Sequence, residues 1–208
     1  MKLYLNTASP YARLCRVLVM ETGLAAGTEL INTDPWTQSD EFWRINPAGK
    51  IPALVLQDGT TLIESTCIAD YLIATSRRTD LDVCSSKIAA RRLEVLGLAR
   101  AAMDCAFGTV IQHRFNKDPA LADRWLQALS RIIARLDDLH ESELRISSPD
   151  NRVLEPARCD LADLTVAVAL GYVDFRLPDV GWRENAPRLA EWIEILSERS
   201  SLAATRLS

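Results

Sequence analysis

The chain has 208 residues, 48% of them hydrophobic and 25% charged, enough for one large domain or two small ones around a real core. Its net charge is −4, and no basic run exceeds the dipeptides Arg77-Arg78 and Arg91-Arg92. Without a basic patch there is no electrostatic footprint for nucleic acid, and anionic membrane surfaces are disfavoured too. The longest apolar stretch, LTVAVALGYV at 164–173, falls far short of the ~20 residues of a membrane-spanning helix. The start, MKLYLNTAS, lacks the apolar block of a signal peptide. Five scattered cysteines, no C-x-x-C pair and only two histidines, His113 and His140, argue for free thiols in a reducing cytoplasm and against a metal site.

KLYLN (2–6) is a short β-rich run, and residues 11–22 carry a helical stripe of Tyr11, Cys15, Leu18, Val19 and Thr22 that stops at Gly23. TELINT (28–33) predicts a second strand, and the stretch from Asp34 to Ala48 is irregular or briefly helical around EFWRIN. PALVLQ (52–57) and TTLIE (60–64) flank Asp58-Gly59, which predicts a hairpin with a two-residue loop. A helix follows over 65–75. The order βαβ, then ββα, predicts parallel first strands and an antiparallel hairpin.

Residues 78–86 are polar and without a clean period, and they divide a first domain, 1–77, from a second, 87–208. Beyond them no strand pattern appears. Residues 87–112 and 120–140 predict long helices, the second strongly amphipathic. SSPDNRVLEP (147–156) interrupts the pattern. CDLADLTVAVALGYV (159–173) opens on a cap-like Asp160…Asp163 pair and is apolar almost all round, so it belongs in the middle of a bundle; a last helix covers 187–199. The fold class is therefore α/β followed by all-α.

Two short stretches carry possible chemistry. Ser9-Pro10 is a good helix start, because a serine caps well and proline lacks only an N–H that the first turn does not need. The same hydroxyl, at a helix's positive end, could donate to a thiolate and favour it over the thiol. Glu64-Ser65 reads either as an ordinary helix start with Ser65 as its N-cap or as a carboxylate site that uses the free N–H groups there. Pro52 suits a strand's first residue, where no ladder donor is lost.

SPY before the first helix, NPAGKIPAL at 46–54 and LIES at 62–65, ahead of LADLTVA and PRLAEWIEILSERSSLAAT, resemble the cytosolic glutathione transferase superfamily over nearly the whole chain. The resemblance implies a thioredoxin-like first domain and a helical bundle as the second. It implies glutathione as co-substrate, a small hydrophobic electrophile as the second substrate, and a cytoplasmic homodimer. It implies a cis Ile51-Pro52 bond that turns the Ile51 N–H and C=O toward the cysteinyl backbone, as an added strand would meet them. Lys50 would then meet the glycyl carboxylate, Ser65 the γ-glutamyl carboxylate, and Glu64 the ammonium beside it. Ser9 would activate the thiol, with Asn6 and Thr7 as rival donors in the same loop. Tyr11 and Met103 would line an electrophile pocket between the domains, near Phe107; Met103 and Phe107 also read as bundle core, Phe107 the more so.

A Cys at position 9 would imply disulfide exchange. Ser9, with Ala12 where a C-P-Y-C motif carries its second cysteine, favours conjugation. NTASPY also departs from the Ser-Ser-Cys loop of the zeta-like isomerases. A glutathione-dependent isomerase or peroxidase on the same site remains an alternative, as does a non-catalytic binding or regulatory descendant of the stringent-starvation type. Asp160 and Asp163 are assigned to folding.

Overall fold

Alternating apolar residues build a small sheet, and the computed structural model describes residues 1–37, 39–85, 89–116, 118–143 and 159–207. Strand β1 (Lys2–Leu5) turns Leu3 and Leu5 inward. It pairs in parallel with β2 (Glu29–Asn32), Lys2 opposite Glu29 and Leu5 opposite Asn32. On its other side it pairs antiparallel with β3 (Ala53–Val55), which in turn pairs antiparallel with β4 (Thr61–Leu62). The sheet order is β2-β1-β3-β4, with the parallel and antiparallel pairs as the sequence predicts.

The hairpin differs in its turn. Leu56 N–H donates to Thr60 C=O at 2.8 Å, so three residues, Gln57 to Gly59, form the loop instead of two. A two-residue type I′ turn needs positive φ at both central positions. Only Gly59 has it, at +87°, and Asp58 instead accepts from the Thr60 N–H at 2.9 Å.

Helix α1 (Pro10–Glu21) connects β1 to β2, the brief α2 (Asp40–Ile45) precedes β3, and α3 (Ser65–Ser76) follows β4. Ala12, Cys15, Leu18, Ile68, Ala69 and Leu72 are buried where α1 and α3 pack together. The chain separates into two compact units: Met1–Thr79 together with Ala204–Ser208, and Asp80–Ala203.

Within the second unit, α4 (Ala89–Ile111) runs into a π-helical turn, Gln112–Asn116, and packs on α5 (Pro119–Glu143) and α6 (Leu161–Arg176). Every residue from Leu161 to Leu170 is buried, so α6 is the core helix its apolar circumference predicts. α8 (Pro187–Ser197) closes the bundle, and two short helices absent from the sequence reading, α7 (Trp182–Asn185) and α9 (Ser200–Ala204), flank it. Four or five residues cannot display a helical period. The predicted break at 147–156 and residues 86–88 lie outside the described residues. Among the described residues, no helix is long and apolar enough to cross a membrane.

Candidate functional site

The sheet register brings three segments to one end of the first unit. β1 runs out toward Ser9, β3 begins just after Pro52, and β4, antiparallel to β3, runs out toward Glu64. Ser9, Lys50, Ile51, Pro52, Glu64 and Ser65 therefore leave the sheet from the same end. The Cys15 thiol adds a tie, reaching the Ser65 carbonyl at 3.9 Å from α1.

Ser9 is the N-cap of α1, in extended conformation, with Pro10 at the first helical position. Its hydroxyl accepts from the Ala12 N–H at 3.3 Å, which leaves its own proton to donate. The half-buried hydroxyl is held by the loop before it: the Ser9 N–H donates to the Asn6 C=O at 3.1 Å, and Asn6 Oδ1 accepts from the Ala8 N–H at 2.9 Å. Of the two rival donors, Asn6 ties its side-chain oxygen to the turn while its Nδ2 remains a donor, and Thr7 is exposed.

Ser65 is the first residue of α3 and not its cap; Glu64 occupies the cap position and makes no side-chain capping bond. No acidic residue stands in the first turn of α1 or of α3. Among the described residues no acceptor is recorded for the N–H groups of Ser65, Thr66 and Cys67, while the Ile68 N–H returns to the Glu64 C=O at 3.0 Å. The positive end of α3 is thus left open to an anion. Ser65 is buried and Glu64 exposed.

The Ile51–Pro52 bond is cis, as is Ile63–Glu64. Among the described residues the Ile51 N–H and C=O have no recorded partner. Lys50 is exposed and Pro52 buried. The turn that carries them is wound on Asn46, a residue the sequence reading passed over. Asn46 is 1% exposed; its Nδ2 donates to the Lys50 C=O at 2.5 Å and its Oδ1 accepts from the Ala48 N–H at 2.9 Å. The signal was present in N-P-A-G, an Asn-led turn ending on glycine. Gly49 has φ +62°, and a Cβ there would collide with the Trp43 ring.

Charge near α1 is cationic. Burial, and then the charges of Arg16 and Arg206, bring the Arg13 pKa down to about 10, so it stays protonated at neutral pH. Burial pushes the Cys15 thiol far above its ordinary range, which makes it an inert core thiol and no substitute nucleophile. Tyr11 is half-buried on the first turn of α1. Met103 lies in the second unit, on the buried face of α4 with Ala102 and Ala106, and Phe107 is half-buried. No cluster of three His, Cys, Asp or Glu side chains suited to a metal ion occurs among the described residues.

Asp160 and Asp163 form the capping box expected of them. Asp160 Oδ1 accepts from the Ala162 and Asp163 N–H groups at 2.9 and 3.3 Å, and Asp163 Oδ2 accepts from the Asp160 N–H at 3.1 Å. Both also bind the fully buried Arg92, which donates to Asp160 through Nε (2.8 Å) and Nη2, and to Asp163 through Nη2 at 2.6 Å. All of this belongs to the second unit and concerns α6, not a reaction.

Two family models match the chain: the glutathione S-transferase N-terminal domain over residues 8–75, and the glutathione S-transferase C-terminal domain over 119–194. A glutathione transferase family member from Pseudomonas fluorescens Pf-5, solved with bound glutathione, is 32% identical, with a TM-score of 0.84 and coverage of 100% of this chain and 98% of its own. A glutathione S-transferase from Methylobacillus flagellatus, also solved with glutathione bound, is 26% identical with a TM-score of 0.81, covering 100% and 99% of the two chains. The uncharacterized GST-like protein YibF of Escherichia coli is 27% identical over 205 residues, 99% of this chain and 98% of that protein.

Proposed function

The chain belongs to the glutathione S-transferase family, and on that premise we propose that it binds glutathione at the sheet end of the first unit and activates its thiol for attack on a small hydrophobic electrophile. One observation carries the reading: an open α3 N-terminus leaves the same sheet end as a serine hydroxyl that still has a proton to give. The residues fit the tripeptide in kind. Three N–H groups at the start of α3 suit the γ-glutamyl carboxylate, with the Glu64 carboxylate for the neighbouring ammonium. The Ile51 N–H and C=O suit the cysteinyl backbone, as an extra strand would pair. Lys50, an exposed point charge, suits the glycyl carboxylate.

A free thiol has a pKa of ~8.5 and is mostly protonated at neutral pH. A hydroxyl donor and the positive end of α1 both favour the thiolate over the thiol. The released proton passes to solvent. The sulfur lone pair then forms the new bond to the electrophilic carbon, and the leaving group departs with its electron pair.

Replacing Ser9 with Ala tests the assignment. We expect retention on immobilised glutathione to persist while turnover of 1-chloro-2,4-dinitrobenzene falls by about 10²-fold, within the ordinary range for losing one stabilising donor. Unchanged turnover would reject Ser9 as the activating group, and failure of the parent chain to bind glutathione would reject the function.

A further inference from the structure

We propose that Asn46 is a positioning residue that aims the Ile51 N–H at the peptide backbone of glutathione; this rests on the function proposed above. A buried amide must find partners for its donors and acceptor, and Asn46, almost without exposure, finds them inside a single turn. Its backbone N–H donates to the Phe42 C=O at 2.8 Å, and its C=O accepts from the Gly49 N–H at 2.9 Å. With Oδ1 on the Ala48 N–H, these bonds already close the turn. The remaining bond, from Nδ2 to the Lys50 C=O, reaches beyond it.

That carbonyl shares a rigid peptide plane with the Ile51 N–H, and in a trans unit the two point in opposite directions. Holding the Lys50 oxygen inward therefore turns the Ile51 N–H outward. A second restraint is the Trp43 ring, which lies so close to Gly49 that no Cβ fits between them. The peptide that would meet the ligand is thus fixed by a side chain four residues before Lys50, at no cost in ordering when ligand arrives.

The test separates aiming from mere support. Asn46→Ser keeps a short oxygen able to accept from the Ala48 N–H but cannot span to the Lys50 C=O. Glutathione, and an analogue whose cysteinyl–glycyl amide is replaced by a trans-alkene, are titrated calorimetrically into the full chain, with melting temperatures recorded alongside. The analogue lacks the acceptor for the Ile51 N–H. We expect the parent to prefer glutathione by about tenfold, the size of one well-made buried hydrogen bond. The variant should bind glutathione about tenfold less tightly and lose that preference.

Unchanged glutathione affinity in the variant overturns the proposal. Equal weakening toward both ligands overturns it too, because it marks Asn46 as scaffold alone. If Asn46→Ser loses its cooperative melt, Asn46→Asp, which keeps the acceptor and the shape but not the donor, carries the same comparison. A parent chain that binds no glutathione sinks the proposed function, and this inference with it.

Discussion

The N-termini of α6 and α3 pose the same electrostatic problem and answer it in opposite ways. At α6 every early N–H has an acceptor within the chain: Leu161 donates to the Leu81 C=O at 3.1 Å, Ala162 and Asp163 to the Asp160 side chain, and Leu164 to the Asp160 C=O at 3.1 Å. Arg92 then ion-pairs with both carboxylates. At α3 the cap position is held by a Glu64 that makes no capping bond, and the first turn has no acid. One helix end is consumed in holding the core; the other is kept unspent. α1 stands between them, since Ser9 closes one N–H at 3.3 Å and leaves its own proton free. A helix start can serve the fold or a ligand, and the side chains around it decide which.

The largest effect should come from breaking the closed end. Arg92→Met removes a fully buried cation and strands two buried carboxylates, so urea unfolding should lose about 3–5 kcal/mol. Glutathione affinity of the folded fraction should stay as it was; a loss of affinity without a loss of stability would erase the contrast between the two ends. Next comes pH. Burial, with the Asp160 charge added and the Arg92 charge opposing, pushes the Asp163 pKa up to about 6. Between about pH 4 and pH 6 the folded state holds a proton that the unfolded state has released. This carboxylate's contribution is therefore fully present at the acid end and is lost as pH rises through 6. In unfolding curves across that window, Asp163→Asn should remove a slope of at most about 1.4 kcal/mol per pH unit. Identical slopes in the two proteins would show that Asp163 does not titrate there.

The smallest effect probes the open end. Ser65→Ala should weaken glutathione by about tenfold, a shift of about 1.4 kcal/mol, while the melting temperature moves little. An unaltered affinity would remove the Ser65 hydroxyl from the site and leave the carboxylate to the backbone N–H groups alone.

Local patterns carried most of the fold into view. The strand pairs, the α6 capping box and the buried circumference of α6 follow from spacing alone, because each is a relation between residues a few positions apart. Ser9 as cap was legible for the same reason. Arg92 was not: its partners lie 68 and 71 positions away, and an arginine near the start of a long helix looks like any solvated cation. Asp137 escaped likewise. It is buried on α5, yet it accepts from the Leu189 N–H at 2.8 Å and so closes the start of α8, 52 residues on. The cap of α3 was expected at Ser65, one residue late, because serine is the better cap by type and only backbone geometry puts Glu64 in that position. Asn46 was not legible as a positioning residue, because burial, invisible in sequence, is what makes its amide decisive.

The last described residues return to the first unit, which consists of Met1–Thr79 together with Ala204–Ser208, with Thr205 buried and Arg206 close enough to lower the pKa of Arg13. During synthesis, the unit that leaves the ribosome first is therefore also the one finished last. Its sheet and helices must wait, lacking their final strip of cover, until more than a hundred intervening residues have been translated. A ribosome that stalls within α8 holds a nascent chain whose first unit still lacks its Ala204–Ser208 strip.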